Sequence, residues 1–349
     1  MASNQGTDIR TITGALGFDS YLDIRSRISV ADLFKPKRRC GLYALYFANG
    51  EGYIGRTVDV ARRFCGHRLN HEDIAEIAFR PLRESDQDRE ERIAIGVCEA
   101  ARVRLRNIQF VSVVVGETDL DMIFPVDQQI QWLQSDKRAS SLLRRPNDED
   151  LRRRYQKRFN ALEARRQWPI LQPVLREYLA TCIPTPDQTE LSFWSISCLS
   201  GQLYNRGRLL ARLNLNWQEV MSVGMDAASG SIWITFHVRR SILEARKFIV
   251  PKFASLVDHH YAPGGSDQVK IWANEMSPGD ILSIIQDDAF RAAAKDFNLN
   301  LMRKGANNFA RFHCFALADA IMKPEHVPFR PAGRRTTPSS AGRSKITSV

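Results

Sequence analysis

Two short aromatic runs set either side of an Asn-Gly turn constrain this chain more than any other feature. Gly41 to Phe47 is rich in aromatic and β-favouring residues, and Gly52 to Gly55 repeats the pattern. Between them stands Asn49-Gly50, two residue types that tolerate positive φ and so favour a tight hairpin. A hairpin lays Tyr43 and Tyr53 on adjacent strands, where their side chains can converge on one surface. Thr57 or Asp59 can then cap a helix running through Val60, Phe64 and His67. On that helix Arg63 and His67 are four residues apart and share a face. Ile74 to Leu82 predicts a third strand, closed by Pro81. Asp88 to Arg106 predicts a helix, with Ile93, Val97, Ala101 and Leu105 at a four-residue step. Gln109 to Val115 is a β-branched run that predicts a further strand.

Phosphodiester cleavage needs a cation at the phosphate, a base near the attacking water and help for the leaving oxygen. The segment from Gly41 to Asn107 offers a candidate for each. In order it reads Gly-Leu-Tyr, nine residues, Tyr-Ile-Gly, then Arg-Thr-Val-Asp-Val-Ala-Arg-Arg-Phe-Cys-Gly-His, with Glu91 in the later helix. This set resembles the GIY-YIG nuclease superfamily over about residues 38–115, with Leu42 in place of the usual isoleucine. The resemblance carries the family's arginine onto Arg63, its histidine-like position onto His67 and its catalytic acid onto Glu91, which has apolar Ile95 four places on. It carries a downstream asparagine onto Asn107, with Gly41 and Gly55 as accessory positions. Glu90 and Glu99 compete with Glu91 for the role of acid.

The resemblance implies a three-stranded antiparallel sheet flanked by helices and a divalent cation, Mg2+ or Mn2+, held by Glu91 and water. Tyr43 becomes the general base or water-positioner, Tyr53 a holder of water or phosphate, and Arg63 a stabiliser of charge on the phosphate. His67 either assists proton transfer or binds phosphate. Without the motif all of these side chains read as ordinary packing or solvated surface.

The rest of the 349 residues suit a second domain. From Lys137 to Arg166 stand eleven Lys or Arg against four acids, around an apolar stripe of Leu151, Tyr155, Phe159 and Leu162. That pattern fits a basic amphipathic helix, either packed by its stripe or contacting phosphates. Trp194 to Met322 predicts a second α+β unit. It has a hairpin around Ala228-Ser229-Gly230 and two late helices at about 278–297 and 307–322. Trp194, Trp217, Trp233 and Trp272 either fill its core or offer stacking faces to bases. His259-His260, behind Asp258, reads as a polar loop or a metal-ligand hint. His313 and Cys314 read as helix core.

The expected class is therefore α+β. Its divisions are an extension (1–37), the GIY-YIG-like domain (38–134), a basic helical linker (135–190), an α+β domain (191–326) and a disordered basic tail (327–349). The formal net charge of +11 favours a polyanion partner. DNA is the expected partner, with RNA left open because such a site reads a phosphate and not a base. The six cysteines form no C-x-x-C pair. No apolar run approaches the ~18 residues of a membrane span, and the first ten residues are polar. These features predict an intracellular, cytoplasmic chain without a signal peptide or membrane partner. The function expected is a metal-dependent endonuclease. The alternative is a nucleic-acid-binding or regulatory protein that keeps the fold without catalysis.

Overall fold

The structure, a computed structural model, describes residues 8–135, 145–146, 148–204, 207–259, 261–274 and 277–322. The tail expected to be disordered (327–349), the polar N-terminus up to Gly6, part of the basic segment (Lys137, Arg138, Arg144) and His260 lie outside the described residues. Among the described residues no helix is long and apolar enough to cross a membrane.

The first module runs α1 (Ile9–Ala15), β1 (Leu22–Asp23), β2 (Gly41–Phe47), β3 (Gly52–Thr57), α2 (Val60–Asn70), β4 (Ile74–Pro81) and α3 (Glu84–Ala100). Its antiparallel sheet has the order β1-β4-β2-β3. The three expected strands are present, and two residues of β1 pair with Ile77 and Glu76 to add a short fourth. The hairpin turns at Gly50, whose φ of +84° is easy for glycine. Both faces are covered, which is why β2 is almost wholly buried rather than alternating. Leu42, Ala44 and Ile54 pack beneath α1 and α3 with Ile9, Ile95 and Cys98. Tyr43, Leu45 and Phe47 pack beneath α2 with Val60 and Phe64. Asp59 is the residue that caps α2, accepting from the backbone of Ala61 and Arg62 at 2.9 and 3.2 Å.

The strand expected at 109–115 does not form. Its peptide groups are taken by α3 and by residues far along the chain. Glu99 accepts from Ser112 N at 2.6 Å, Arg239 donates to Ser112 O at 2.8 Å, and the Lys304 ammonium donates to Val111 O. Phe110 has a φ of +64°, outside the range of a strand.

The second module comprises α4 (Val126–Gln134), α5 (Glu149–Glu163), α6 (Trp168–Cys182), α7 (Pro186–Thr189), β5 (Trp194–Tyr204), β6 (Gly207–Leu215), β7 (Gln218–Asp226), β8 (Ile232–Val238), α8 (Arg240–Ala245), β9 (Ala254–Val257), β10 (Val269–Asn274), α9 (Pro278–Gln286), α10 (Asp288–Arg303) and α11 (Phe315–Met322). Its six-stranded sheet has the order β5-β6-β7-β8-β10-β9, with every pair antiparallel. The chain is thus α+β in both modules. The β7–β8 hairpin turns at Gly230, as expected. The helix expected over 278–297 is two helices, because Asp287 leaves the helical region (ψ 131°) and caps α10 through Ala289 N and Phe290 N. The other late helix begins at Phe315 rather than 307.

One face of the sheet packs on α6 and α10, where Phe236 lies 5.5 Å from the Tyr178 ring and 5.0 Å from Phe290. The stripe Leu151, Tyr155, Phe159 and Leu162 of α5 is buried in this same core, as are Leu120, Phe124 and Trp132. Burying the stripe leaves Arg153, Arg154, Lys157, Arg158 and Arg166 exposed.

Candidate active site

Tyr43, Tyr53, Arg63 and His67 meet on the α2 side of the first sheet. The two tyrosines are odd-numbered residues on adjacent strands in register, so both project to that face. Their rings lie 5.9 Å apart, with 23° between the planes. Tyr43 stands directly opposite Gly55. A Cβ at Gly55 would lie 2.5 Å from the Tyr43 hydroxyl and 2.8 Å from the Tyr53 ring, so the absent side chain makes room for both. Gly41 permits a different approach: a Cβ there would stand 2.1 Å from the carbonyl oxygen of Arg80 on β4.

From α2, Arg63 Nε donates to the Tyr43 hydroxyl at 3.1 Å, and His67 Nε2 lies 2.6 Å from the same oxygen. Burial, with the charges of Arg63 and His71, pushes His67 down to about 4, so its ring is neutral at neutral pH. A neutral ring can accept, and Arg63 can only donate. With the imidazole proton on Nδ1, Nε2 is the acceptor for the Tyr43 hydroxyl. Burial, then Tyr53, pushes the Tyr43 phenol well above its ordinary value of 10.0, and Arg63 opposes that shift. The Tyr53 ring closes the cluster 4.6 Å from the imidazole.

Glu91 comes from α3, on the other face of the sheet, past the edge strand β3. It is 7% exposed, and Arg56 Nε lies 3.3 Å from its carboxylate while reaching Asp88 at 3.5 Å. Burial pushes Glu91 up to about 6. Arg56 opposes that, Asp88 adds to it, and the charge of Arg63 also acts on Glu91. The other two acids face elsewhere. Glu90 pairs with Arg80 at 3.1 Å and Arg89 at 2.9 Å, and Glu99 holds the Ser112 backbone. Of the three, Glu91 is the one paired with a side chain of β3, Arg56. Arg56 was missed in the sequence. Its signal was its place one residue beyond Tyr-Ile-Gly, which on a strand turns it to the α3 side.

Asn107 holds the strand that carries Tyr53. It is 4% exposed, and its amide clasps both peptide groups of Ile54, accepting from N at 3.0 Å and donating to O at 2.6 Å. The backbone carbonyl of Arg104 accepts from Gly52 N and the backbone N–H of Arg106 donates to Gly52 O, both at 2.8 Å, so residues 104–107 line the free edge of β3.

Among the described residues no group of three or more His, Cys, Asp or Glu is placed to hold a metal ion. The carboxylates at the end of β3 are Glu91 and Asp88, which share Arg56, and so few protein oxygens suit a cation that keeps most of its own water, as Mg2+ does. A carboxylate whose ionised form is disfavoured by burial gains from a nearby dication. To that extent the residues present fit one. No protein-family model, curated protein or solved structure matches the chain.

Proposed function

We propose that this chain is a metal-dependent endonuclease that hydrolyses phosphodiester bonds in DNA. The observation that carries the reading is the Tyr43 hydroxyl held between a donor, Arg63, and a neutral acceptor, His67, with Glu91 across the edge strand in the same field. Tyr43 positions the attacking water and takes its proton as its own passes to His67. Arg63, exposed beyond its bond to Tyr43, stabilises charge on the phosphate. Tyr53 orients the water or phosphate through its hydroxyl. Arg56 is a positioning residue that aligns Glu91. Glu91 would hold Mg2+ or Mn2+, which when bound supplies Lewis-acid polarisation of the phosphate. Exposed Lys35, Lys37, Arg38 and Arg62 lie in the segments leading into β2 and on α2, and would meet the flanking phosphates.

The test is cleavage of supercoiled plasmid by wild type, Glu91→Ala and Tyr43→Phe, each with magnesium and with EDTA. Wild type should nick or linearise only with metal. Glu91→Ala should be inert, and Tyr43→Phe should lose about 10²- to 10⁴-fold, the usual scale for a proton-transfer group. Wild type that retards DNA on a gel but never cuts it, whatever the metal, would overturn the reading in favour of a binding module. An all-RNA substrate cut faster than DNA would overturn the choice of DNA.

A further inference from the structure

The six-stranded sheet has a second face, turned away from α6 and α10. Cross-strand register puts Lys270 beside His237, Trp272 beside Thr235, and Ser222 between Thr235 and Arg212. The free face of an antiparallel sheet is usually polar and wet. This one is polar yet largely dry, with Ser222 and Thr235 4% exposed and His237 fully buried. Among the described residues neither ring nitrogen of His237 has a hydrogen-bond partner. The rings of Tyr261 and His259 stand 5.2 and 5.8 Å from it, forming walls above a polar floor. A buried imidazole with both nitrogens unpaired is costly, and such groups call for a ligand or water to complete them.

Charge selects the ligand. The acids on this face are engaged: Glu219 by Arg212 at 2.8 Å, Ser222 Oγ at 3.1 Å and Tyr261 at 3.3 Å, and Asp226, at the far end of β7, by the backbone of Ala228 and Ser229. That leaves the charge of Lys270 directly across from His237, which disfavours a metal cation and favours an anion. Trp272 lies two residues along β10 from Lys270 on the same face, about 7 Å away at the usual strand rise. That is the reach from a nucleotide's phosphate to its own base. Trp272 stacks on Trp233 at 5.1 Å and 16°. Trp233 in turn lies flat over Gly224, where a Cβ would come within 2.0 Å of the indole. The tryptophan pair is thus a fixed platform, and Trp272, half-buried, is its accessible member. A base can use such a platform only when it is unpaired and unstacked, which points to a single strand.

We propose that this face binds single-stranded nucleic acid, with a phosphate held by Lys270 and that nucleotide's base laid on Trp272, both half-buried side chains at the surface of the polar floor. The site is separate from the Tyr43 cluster and needs no cleavage chemistry.

The experiment is fluorescence anisotropy of labelled oligothymidylate with the full chain, in EDTA so that no strand is cut. Trp272→Leu should weaken binding about tenfold, and Trp272→Phe, which keeps a stacking face, should restore most of it. Lys270→Gln should weaken binding and lower the slope of log affinity against log salt by about one. Neither change should alter binding of the matching duplex. Wild-type affinity in both Trp272→Leu and Lys270→Gln overturns the proposal, as does equal loss for duplex and single strand. Thymidine monophosphate that displaces the strand at the strand's own concentration also overturns it, in favour of a free-nucleotide site. Since cleavage is never read, failure here leaves the endonuclease reading intact, and a failed plasmid assay leaves this one intact.

Discussion

The Tyr43 hydroxyl and the His237 ring mark two opposite ways of burying a polar group. Tyr43 has Arg63 and His67 both within 3.1 Å, so its burial is compensated. His237 has no such partner among the described residues, and burial, then Lys270 and His259, pushes it down to about 3 from an ordinary 6.5. The sign of the consequence follows from proton counts. Below pH 6.5 the unfolded chain binds a proton at this position that the native chain refuses, so stability is lost as pH falls. The loss is about 1.4 kcal/mol per pH unit once the unfolded histidine is charged. Wild type should therefore lose about 2 kcal/mol more than His237→Leu between pH 7 and pH 5, because other groups cancel in the comparison. Urea unfolding at the two pH values measures this. An equal loss in both proteins would mean that His237 is charged or solvated in the native state.

At the scale of elements, local signals were legible and long-range partners were not. The β2–β3 hairpin, the Asp59 cap and the four-residue step joining Arg63 to His67 are written within a few residues of where they act, and the structure follows them. The run at 109–115 has strand composition, but its fate is decided by Glu99, Arg239 and Lys304, which no local pattern announces. The polar face around His237 was equally hidden, since it is assembled from strands whose order cannot be read locally. Asn107 lies between these cases: its position was legible from the motif, whereas its role came only from seeing its amide on Ile54. That role makes a prediction. Asn107→Ala removes the partner of a buried N–H and a buried C=O together, which should cost about 2–4 kcal/mol. Asn107→Asp keeps the acceptor for Ile54 N but sets a carboxylate against Ile54 O, so it should recover little. Chemical denaturation of the two variants, with circular dichroism as the readout, checks the magnitude. A cost below about 0.5 kcal/mol would show that the edge of β3 is held by the Gly52 bonds alone.

For the whole molecule, the question is what ties the two cores together, and Arg239 is the most economical answer. It is 2% exposed and joins three places: Nε meets Asp296 on α10 at 2.6 Å, Nη2 donates to Ser112 O at 2.8 Å, and its backbone bonds Ala293. Ser112 belongs to the segment that follows the first module, so one guanidinium spans the junction. Lys304 repeats the device nearby, donating to Val111 O and to Pro263 O. Arg239→Met keeps the stem and removes the fork, leaving the Asp296 carboxylate without its cation and with Asn300 Nδ2 at 3.3 Å as a donor. A fully buried pair broken this way costs about 3–5 kcal/mol. Asp296 keeps 23% of its side-chain surface in contact with water, so the expected cost is smaller, about 2–3 kcal/mol. Adding Asp296→Leu removes the orphaned charge and should recover much of that loss, but it cannot restore the bond to Ser112. The two readouts should therefore separate. Stability by calorimetry should return in the double variant, whereas proteolysis within 108–115 should stay fast in both, because that segment has lost its tether. Slow proteolysis in both variants would mean that Lys304 and Glu99 hold the segment without Arg239, and that the cores are coupled through those two side chains instead.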